Sequence, residues 1–391
     1  MTMEQNVTVI GIGKLGLGFA LLLERAGYNV VGVDIFPHYV EQVNRKTLQF
    51  AEPQYNELLK NATNFKATTD LQTGLNHSDI IFILVQTPNG GGTKFYDHTI
   101  LSNLIERIDN QSPQNKHFII GCTVIPHYID QIAIPLLTKS QNCSISYNPE
   151  FIAQGDIVRG FENPDMVLVG THIPQILTPV LTELYTRMTK NQPIFSFMTP
   201  LEAEIVKISL NGFITTKISF ANMISDLCDQ VGANKSTVLK AIGADTRIGR
   251  KYFNPGLSFG GPCFPRDTKA LKQLMDQHQI QSNILRATTE YNEEHNRRFA
   301  EILSKNDNDI IKQNLFNMLD CSEDEPNVFK FKNVCYKPES KIPIIEESAK
   351  LKIAEILVRT YNKKVIIEDI PELIREVKKE YGNLFYTQEI L

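Results

Sequence analysis

The sequence predicts an α/β protein with an N-terminal doubly wound sheet, a central helical region and a shortened C-terminal α/β segment. Three observations carry that expectation. Short apolar runs alternate with helix-patterned stretches over residues 1–198, the signature of a parallel sheet covered by helices. From 199 to 303 the pattern is helical. From 304 to 391 strand-like stretches at 328–336, 364–370 and 384–388 alternate with helix-like stretches at 346–362 and 372–382.

The bulk composition bounds the function classes. The 391 residues suffice for two or three domains, and 42% hydrophobic with 21% charged residues is ordinary for a globular chain. A net charge of -4 gives no general attraction to nucleic acid or membrane surfaces. The six cysteines, at 122, 143, 228, 263, 321 and 335, form no CxxC pair. That spacing fits neither a zinc site nor a disulfide framework, so no metal is expected. No secretory signal opens the chain, and the most apolar run, "IIFILV" (80–85), is too short for a bilayer. A cytoplasmic protein with reduced thiols is expected.

Residues 7–34, "VTVIGIGKLGLGFALLLERAGYNVVGVD", read as strand, glycine turn, helix and strand. Gly11, Gly13 and Gly16 form G-x-G-x-x-G, and Asp34 follows the last glycine by 18 residues. In that context the motif predicts a dinucleotide-binding, Rossmann-type unit. Gly11 permits the tight turn, Gly13 lets backbone approach a pyrophosphate, and Gly16 lets helix and strand pack closely. The helix N-terminus offers unpaired N–H groups to the phosphates. Asp34 suits two ribose hydroxyls and repels a 2′-phosphate, so NAD is expected rather than NADP. Further strands are expected in 78–91, where the strand runs into a Gly-rich loop, and at 116–126, 144–152, 165–171 and 192–197, with helices between them. Thr87, Thr123 and Glu150 fall at their carboxyl ends, where open α/β sheets bind ligands.

The helical middle opens with a long segment, 199–234, and a helix there commonly supplies a subunit interface. Lys207 and Asn211 share one face of it, four residues apart. On spacing alone Lys207 reads as a solvated surface lysine. Further on, "SFGGPCFPRDTKAL" (258–271) sets Cys263 after two glycines and between prolines, with Arg266-Asp267 following. A structural cysteine needs no such setting, and a nucleophile does.

Six segments together carry a resemblance: "GIGKLGLGFA", "EPQYNELL" (52–59), "YNPEFIAQGDIVRGFENPDMVLVG" (147–170), "VKISLNGFITTKISFANMIS" (206–225), "DTRIGRKYFNPGLSFGGPCFPRDTKAL" (245–271) and "CYKPES" (335–340). They resemble the UDP-glucose/GDP-mannose dehydrogenase family over about residues 7–300, and more loosely to the end. The resemblance implies oxidation of a nucleotide-sugar C6 hydroxyl to a carboxylate with two NAD and one water. Cys263 would carry a thiohemiacetal and then a thioester, with Gly260 and Gly261 leaving room for the sugar. Lys207 would hold the developing alkoxide and Asn211 would orient the same oxygen. Asp267 and Thr123 would position water, and Glu150 would be the base. Thr87, Thr123 and Arg266 would lie at the cofactor. Phe151, Ile152, Gln154, Tyr252, Phe253, Asn254, Ser258, Tyr336 and Lys337 would line the substrate. Arg247 would reach the neighbouring subunit's sugar site, which implies at least a homodimer. The loop around Cys263 ranks UDP-glucose first as substrate, GDP-mannose second and another UDP-hexose third.

Several positions depart from the family pattern. Pro262 stands where a small residue is common, Arg266 where lysine is usual, Gln154 where some relatives carry glutamate, and Glu346 where many carry arginine. Asn333-Val334 replace a usual glycine before "CYKPES", and the third domain is short. Two other classes stay open at this level. One is a two-electron hydroxy-acid dehydrogenase using Lys207 and Asn211, with Cys263 structural. The other is a non-enzymatic nucleotide-binding protein.

Overall fold

The computed structural model describes residues 5–92, 94–152, 155–305, 310–337 and 343–390. It divides into two compact units, Met1–Lys207 and Ile208–Leu391.

The first unit is built on an eight-stranded sheet. Its strands are β1 (Asn6–Ile10), β2 (Asn29–Val33), β3 (Phe65–Thr68), β4 (Ile80–Ile83), β5 (His117–Ile120), β6 (Ser144–Tyr147), β7 (Met166–Gly170) and β8 (Ile194–Met198). Their spatial order is β3-β2-β1-β4-β5-β6-β7-β8. Central strands are apolar without alternation because both faces are covered. Val9, Phe82 and Ile119 enter one core, while Ile10, Ile81, Ile83, Phe118 and Ile120 enter the other. The helix Lys14–Arg25 lies on the first of these, and its Phe19 meets Phe82 edge-on at 4.8 Å. Gly27, at φ +95°, ends that helix in a conformation glycine adopts without strain.

Three expectations are corrected in this unit. β3 lies in a stretch expected to be helical, because four residues at a sheet edge leave little periodic signal. β5 and β6 stop at Ile120 and Tyr147, so Thr123 and Glu150 stand on loops beyond the strand ends. β7 pairs antiparallel to β6, through Tyr147 and Gly170, while β7 and β8 are parallel to each other. A strand buried on both faces reads the same in either direction.

The helix Pro200–Val231 begins in the first unit and continues into the second. The helices Lys235–Ile242, Phe264–Gln277 and Asn283–Ser304 follow. A smaller sheet closes the chain, made of β9 (Cys321–Glu325), β10 (Val328–Lys332), β11 (Lys364–Asp369) and β12 (Tyr386–Glu389) in the order β12-β11-β10-β9. Only β9 is antiparallel to its neighbour. Its sequence, "CSEDE", gives little strand signal because Cys321 alone is buried. β10 ends at Lys332, and Asn333 turns the chain at φ +51°. Asparagine tolerates that left-handed conformation, so it can stand where relatives use glycine. Phe329, Phe331, Leu351, Ile353 and Ile367 form this sheet's core. No helix among the described residues is long and apolar enough to cross a membrane.

Candidate active site

In the first unit the glycine turn follows β1. Gly11 has φ +87°, and a Cβ on it would meet the Leu84 carbonyl oxygen at 2.6 Å. A Cβ on Gly16 would meet the Gly11 carbonyl oxygen at 1.9 Å. These two glycines serve the chain's own packing. Gly13 differs: a Cβ there meets nothing within 4 Å. Gly13 is also the N-cap of the Lys14–Arg25 helix and makes no side-chain cap bond. Open space beside a helix N-terminus suits a pyrophosphate, and any side chain would intrude on it. Asp34 follows β2, and its Oδ1 accepts the Phe36 N–H at 3.3 Å. Partial burial raises its carboxyl pKa, against backbone N–H groups that lower it. Thr87 is buried on the loop beyond β4. The turn, the helix end and the acid fit NAD.

The loop after β6 carries Glu150. Asn148 donates from Nδ2 to the Leu168 carbonyl at 2.8 Å. The Tyr185 hydroxyl lies 2.6 Å from Asn148 Oδ1 and 3.1 Å from Glu150 Oε1. Lys207 Nζ donates to the Glu150 carbonyl oxygen and sits 4.5 Å from the Phe151 ring centroid. Glu150 keeps some exposed surface, yet burial of its carboxyl pushes it up to about 7, against the Tyr185 hydroxyl and the Lys207 charge. A carboxyl near neutrality is suited to take and release a proton. Lys207 is only 7% exposed, which overturns the solvated-lysine reading. Three residues earlier on the same helix, Glu204 accepts the His127 and Ile129 N–H groups at 2.7 and 2.8 Å. Burial pushes its carboxyl to about 7 as well. Those bonds anchor the loop just beyond Thr123, which is half-buried. Ile152 packs against the first core, and Gln154 lies outside the described residues.

In the second unit Cys263 is exposed and in no disulfide, and it is the N-cap residue of the Phe264–Gln277 helix. A helix N-terminus favours negative charge. The helix starts beside the cysteine. Asn211 Nδ2 donates to Asp267 Oδ2 at 2.6 Å, and both residues are buried. Arg266 is half-buried beside them. Tyr252, at φ +60°, and Asn254 are exposed, and the Tyr252 ring meets Phe264 edge-on at 6.0 Å. Phe253 instead packs with Ala221 and Leu239, and the Ser258 hydroxyl turns inward to Asn296 Oδ1 at 2.8 Å. Arg247 is exposed and paired with Asp245 at 2.7 Å. Tyr336 and Lys337 are half-buried on the loop after β10, where the Tyr336 N–H donates to the Ile344 carbonyl at 2.9 Å.

The room attributed to Gly260 and Gly261 goes elsewhere. A Cβ on Gly260 would lie 2.1 Å from the Glu347 carbonyl oxygen, and one on Gly261 2.5 Å from the Tyr336 ring. Both glycines admit the chain's own C-terminal segment. Residue spacing also missed Tyr185 and Glu204. Neither carries a local signal, since each matters only through a partner distant in sequence.

A glycine-cradled helix end after β1 and an acid after β2 define a dinucleotide-binding protein, and its second unit presents a thiol at another helix N-terminus. The chain belongs to the UDP-glucose/GDP-mannose dehydrogenase family: residues 5–189 match that family's NAD binding domain and residues 201–294 its central domain. The resemblance is thereby borne out for the five segments that lie within the matched ranges; the sixth, 335–340, lies beyond them. The chain is similar to a UDP-glucose 6-dehydrogenase of Rickettsia felis, 30% identical over 292 residues, which are 74% of this chain and 65% of that protein. The corresponding enzyme of Rickettsia prowazekii is 31% identical over 317 residues, or 79% of this chain and 72% of its own length. Among solved structures, a UDP-glucose dehydrogenase from the archaeon Pyrobaculum islandicum aligns at a TM-score of 0.81 and 25% identity, over 100% of this chain and 87% of that one.

Proposed function

We propose that the protein oxidises UDP-glucose at C6 to UDP-glucuronate through a covalent intermediate on Cys263. The observation that carries this reading is an exposed thiol at a helix N-terminus, with the Asn211–Asp267 pair one turn behind it. NAD supplies the hydride acceptor for each of two oxidations. After the first, the Cys263 sulfur adds to the C6 aldehyde to give a thiohemiacetal. The second leaves a thioester, whose C–S bond breaks as water adds, releasing carboxylate and thiol. Lys207 holds the developing alkoxide by charge, with Asn211 orienting it. Glu150, poised near neutrality, takes the proton of the attacking water. Thr123 and Asp267 orient that water, and Thr87 and Arg266 contact the cofactor. Tyr252, Asn254, Tyr336 and Lys337 supply substrate contacts, and residues from 304 onward act as the nucleotide-sugar domain.

The same reading includes a homodimer. The long helix exposes Phe213, Phe220 and Leu227 at intervals of seven residues, a stripe suited to a second copy. Arg247, exposed on its turn, serves the partner's sugar.

The test is NADH formed per UDP-glucose consumed, with GDP-mannose in parallel and Cys263→Ser as control. Two NADH per UDP-glucose, lost in the variant, supports the reading. One NADH, or full activity without the thiol, favours a two-electron dehydrogenase.

A further inference from the structure

The segment 52–59 carries part of the family resemblance, yet the reaction described above uses none of its residues. Its structure gives it a task. Glu52 is 4% exposed, and its Oε1 accepts the Gly155 N–H at 2.7 Å. Gly155, at φ +89°, stands at the far end of the loop that bears Glu150. The near end of that loop is held through Asn148, Tyr185 and Lys207, and Glu52 holds it at Gly155.

Three residues on, Tyr55 is fully buried and its hydroxyl donates to the Lys14 carbonyl, in the first turn of the dinucleotide-binding helix. Gly18 makes that possible, because a Cβ there would lie 2.0 Å from the Tyr55 hydroxyl oxygen. Between the two anchors Gln54 holds φ +68°, a left-handed conformation that costs a non-glycine residue free energy. The Tyr55 N–H closes the turn on the Glu52 carbonyl at 3.4 Å. A strained turn thus carries one contact to the cofactor helix and one to the base loop.

We infer that Glu52 is a positioning residue for Glu150: with Tyr55 it clasps the far end of the base loop to the first turn of the dinucleotide-binding helix. The inference rests on the reading of Glu150 as the base of thioester hydrolysis. Its consequence is specific to one half of the reaction. Hydride transfer does not use the base, whereas hydrolysis requires the carboxylate to be aimed at water.

The experiment compares wild type, Glu52→Ala, Glu52→Asp, Glu52→Gln, Tyr55→Phe and Glu150→Gln. Each is mixed rapidly with NAD and UDP-glucose, and NADH is followed through the burst and the steady state. Acid-quenched samples are weighed by intact mass spectrometry for sugar bound at Cys263. Glu52→Ala is expected to keep a burst of two NADH per site, to turn over about tenfold more slowly and to accumulate the adduct. Glu52→Asp, one methylene too short, behaves similarly and serves if the alanine variant fails to fold. Glu52→Gln keeps an acceptor for Gly155 and returns turnover to within about twofold of wild type. Tyr55→Phe shows the same stall at roughly threefold.

Normal turnover in Glu52→Ala or Glu52→Asp overturns the inference. So does an equal slowing of burst and steady state without adduct, which is a structural defect alone. If Glu150→Gln stalls with adduct while the Glu52 variants do not, only the inference fails. If wild type yields no adduct and no second NADH, or Glu150→Gln does not stall, the reading of Glu150 fails and the inference with it.

Discussion

The Glu150 loop and the Cys263 turn, to which the proposed reaction gives its base and its nucleophile, are built in opposite ways. Glu150 is held by its carboxyl, its carbonyl and its neighbours Asn148 and Phe151, and burial sets its proton affinity. Cys263 is exposed, and what surrounds it orders the backbone: a helix start, two crowded glycines and the Asn211–Asp267 pair. The difference suits the proposed chemistry. A base needs a tuned pKa, and burial with a few partners supplies it. A nucleophile needs access, and the exposed Cys263 has it. The glycines divide along a similar line, since Gly13 faces open space while Gly260 and Gly261 face the chain itself.

The comparison can be broken in order of expected effect. Cys263→Ser should reduce net UDP-glucuronate formation by at least about a thousandfold, measured by product chromatography. Activity near wild type would remove the nucleophile from the comparison. Lys207→Ala should cost about 3–4 kcal/mol of transition-state stabilisation, read as a fall in kcat with little change in the KM for sugar. A change in KM alone would make Lys207 a binding residue.

The glycine contrast is tested next. Gly260→Ala must displace the Glu347 carbonyl and should destabilise the protein by about 1–3 kcal/mol, visible as a lowered melting temperature. Gly13→Ala should leave melting unchanged and weaken NAD binding about tenfold, or about 1.4 kcal/mol, by titration calorimetry. If the two phenotypes exchange, the division of glycines into ligand and packing roles is wrong.

The smallest effect concerns pH. As the proposed base, Glu150 works only when ionised, so kcat should rise with pH through about 7. The Tyr185 hydroxyl lowers that pKa, so Tyr185→Phe should move the limb to higher pH. A limb that stays in place would take Tyr185 out of the tuning.

The sequence by itself determined the dinucleotide turn, the acid at position 34, most of the strands and the setting of Cys263. These depend on neighbours within about one strand–turn–helix unit, so residue order alone carries the information. Tertiary structure decided the rest. It buried Lys207, which helical spacing left at the surface, by laying that helix face against the Glu150 loop. It reversed β7, whose two apolar faces carry no direction. It gave the space beside Gly260 to Glu347, distant in sequence. It also raised Glu150 toward neutrality, because desolvation depends on everything packed around a carboxyl and not on the residues beside it in the chain.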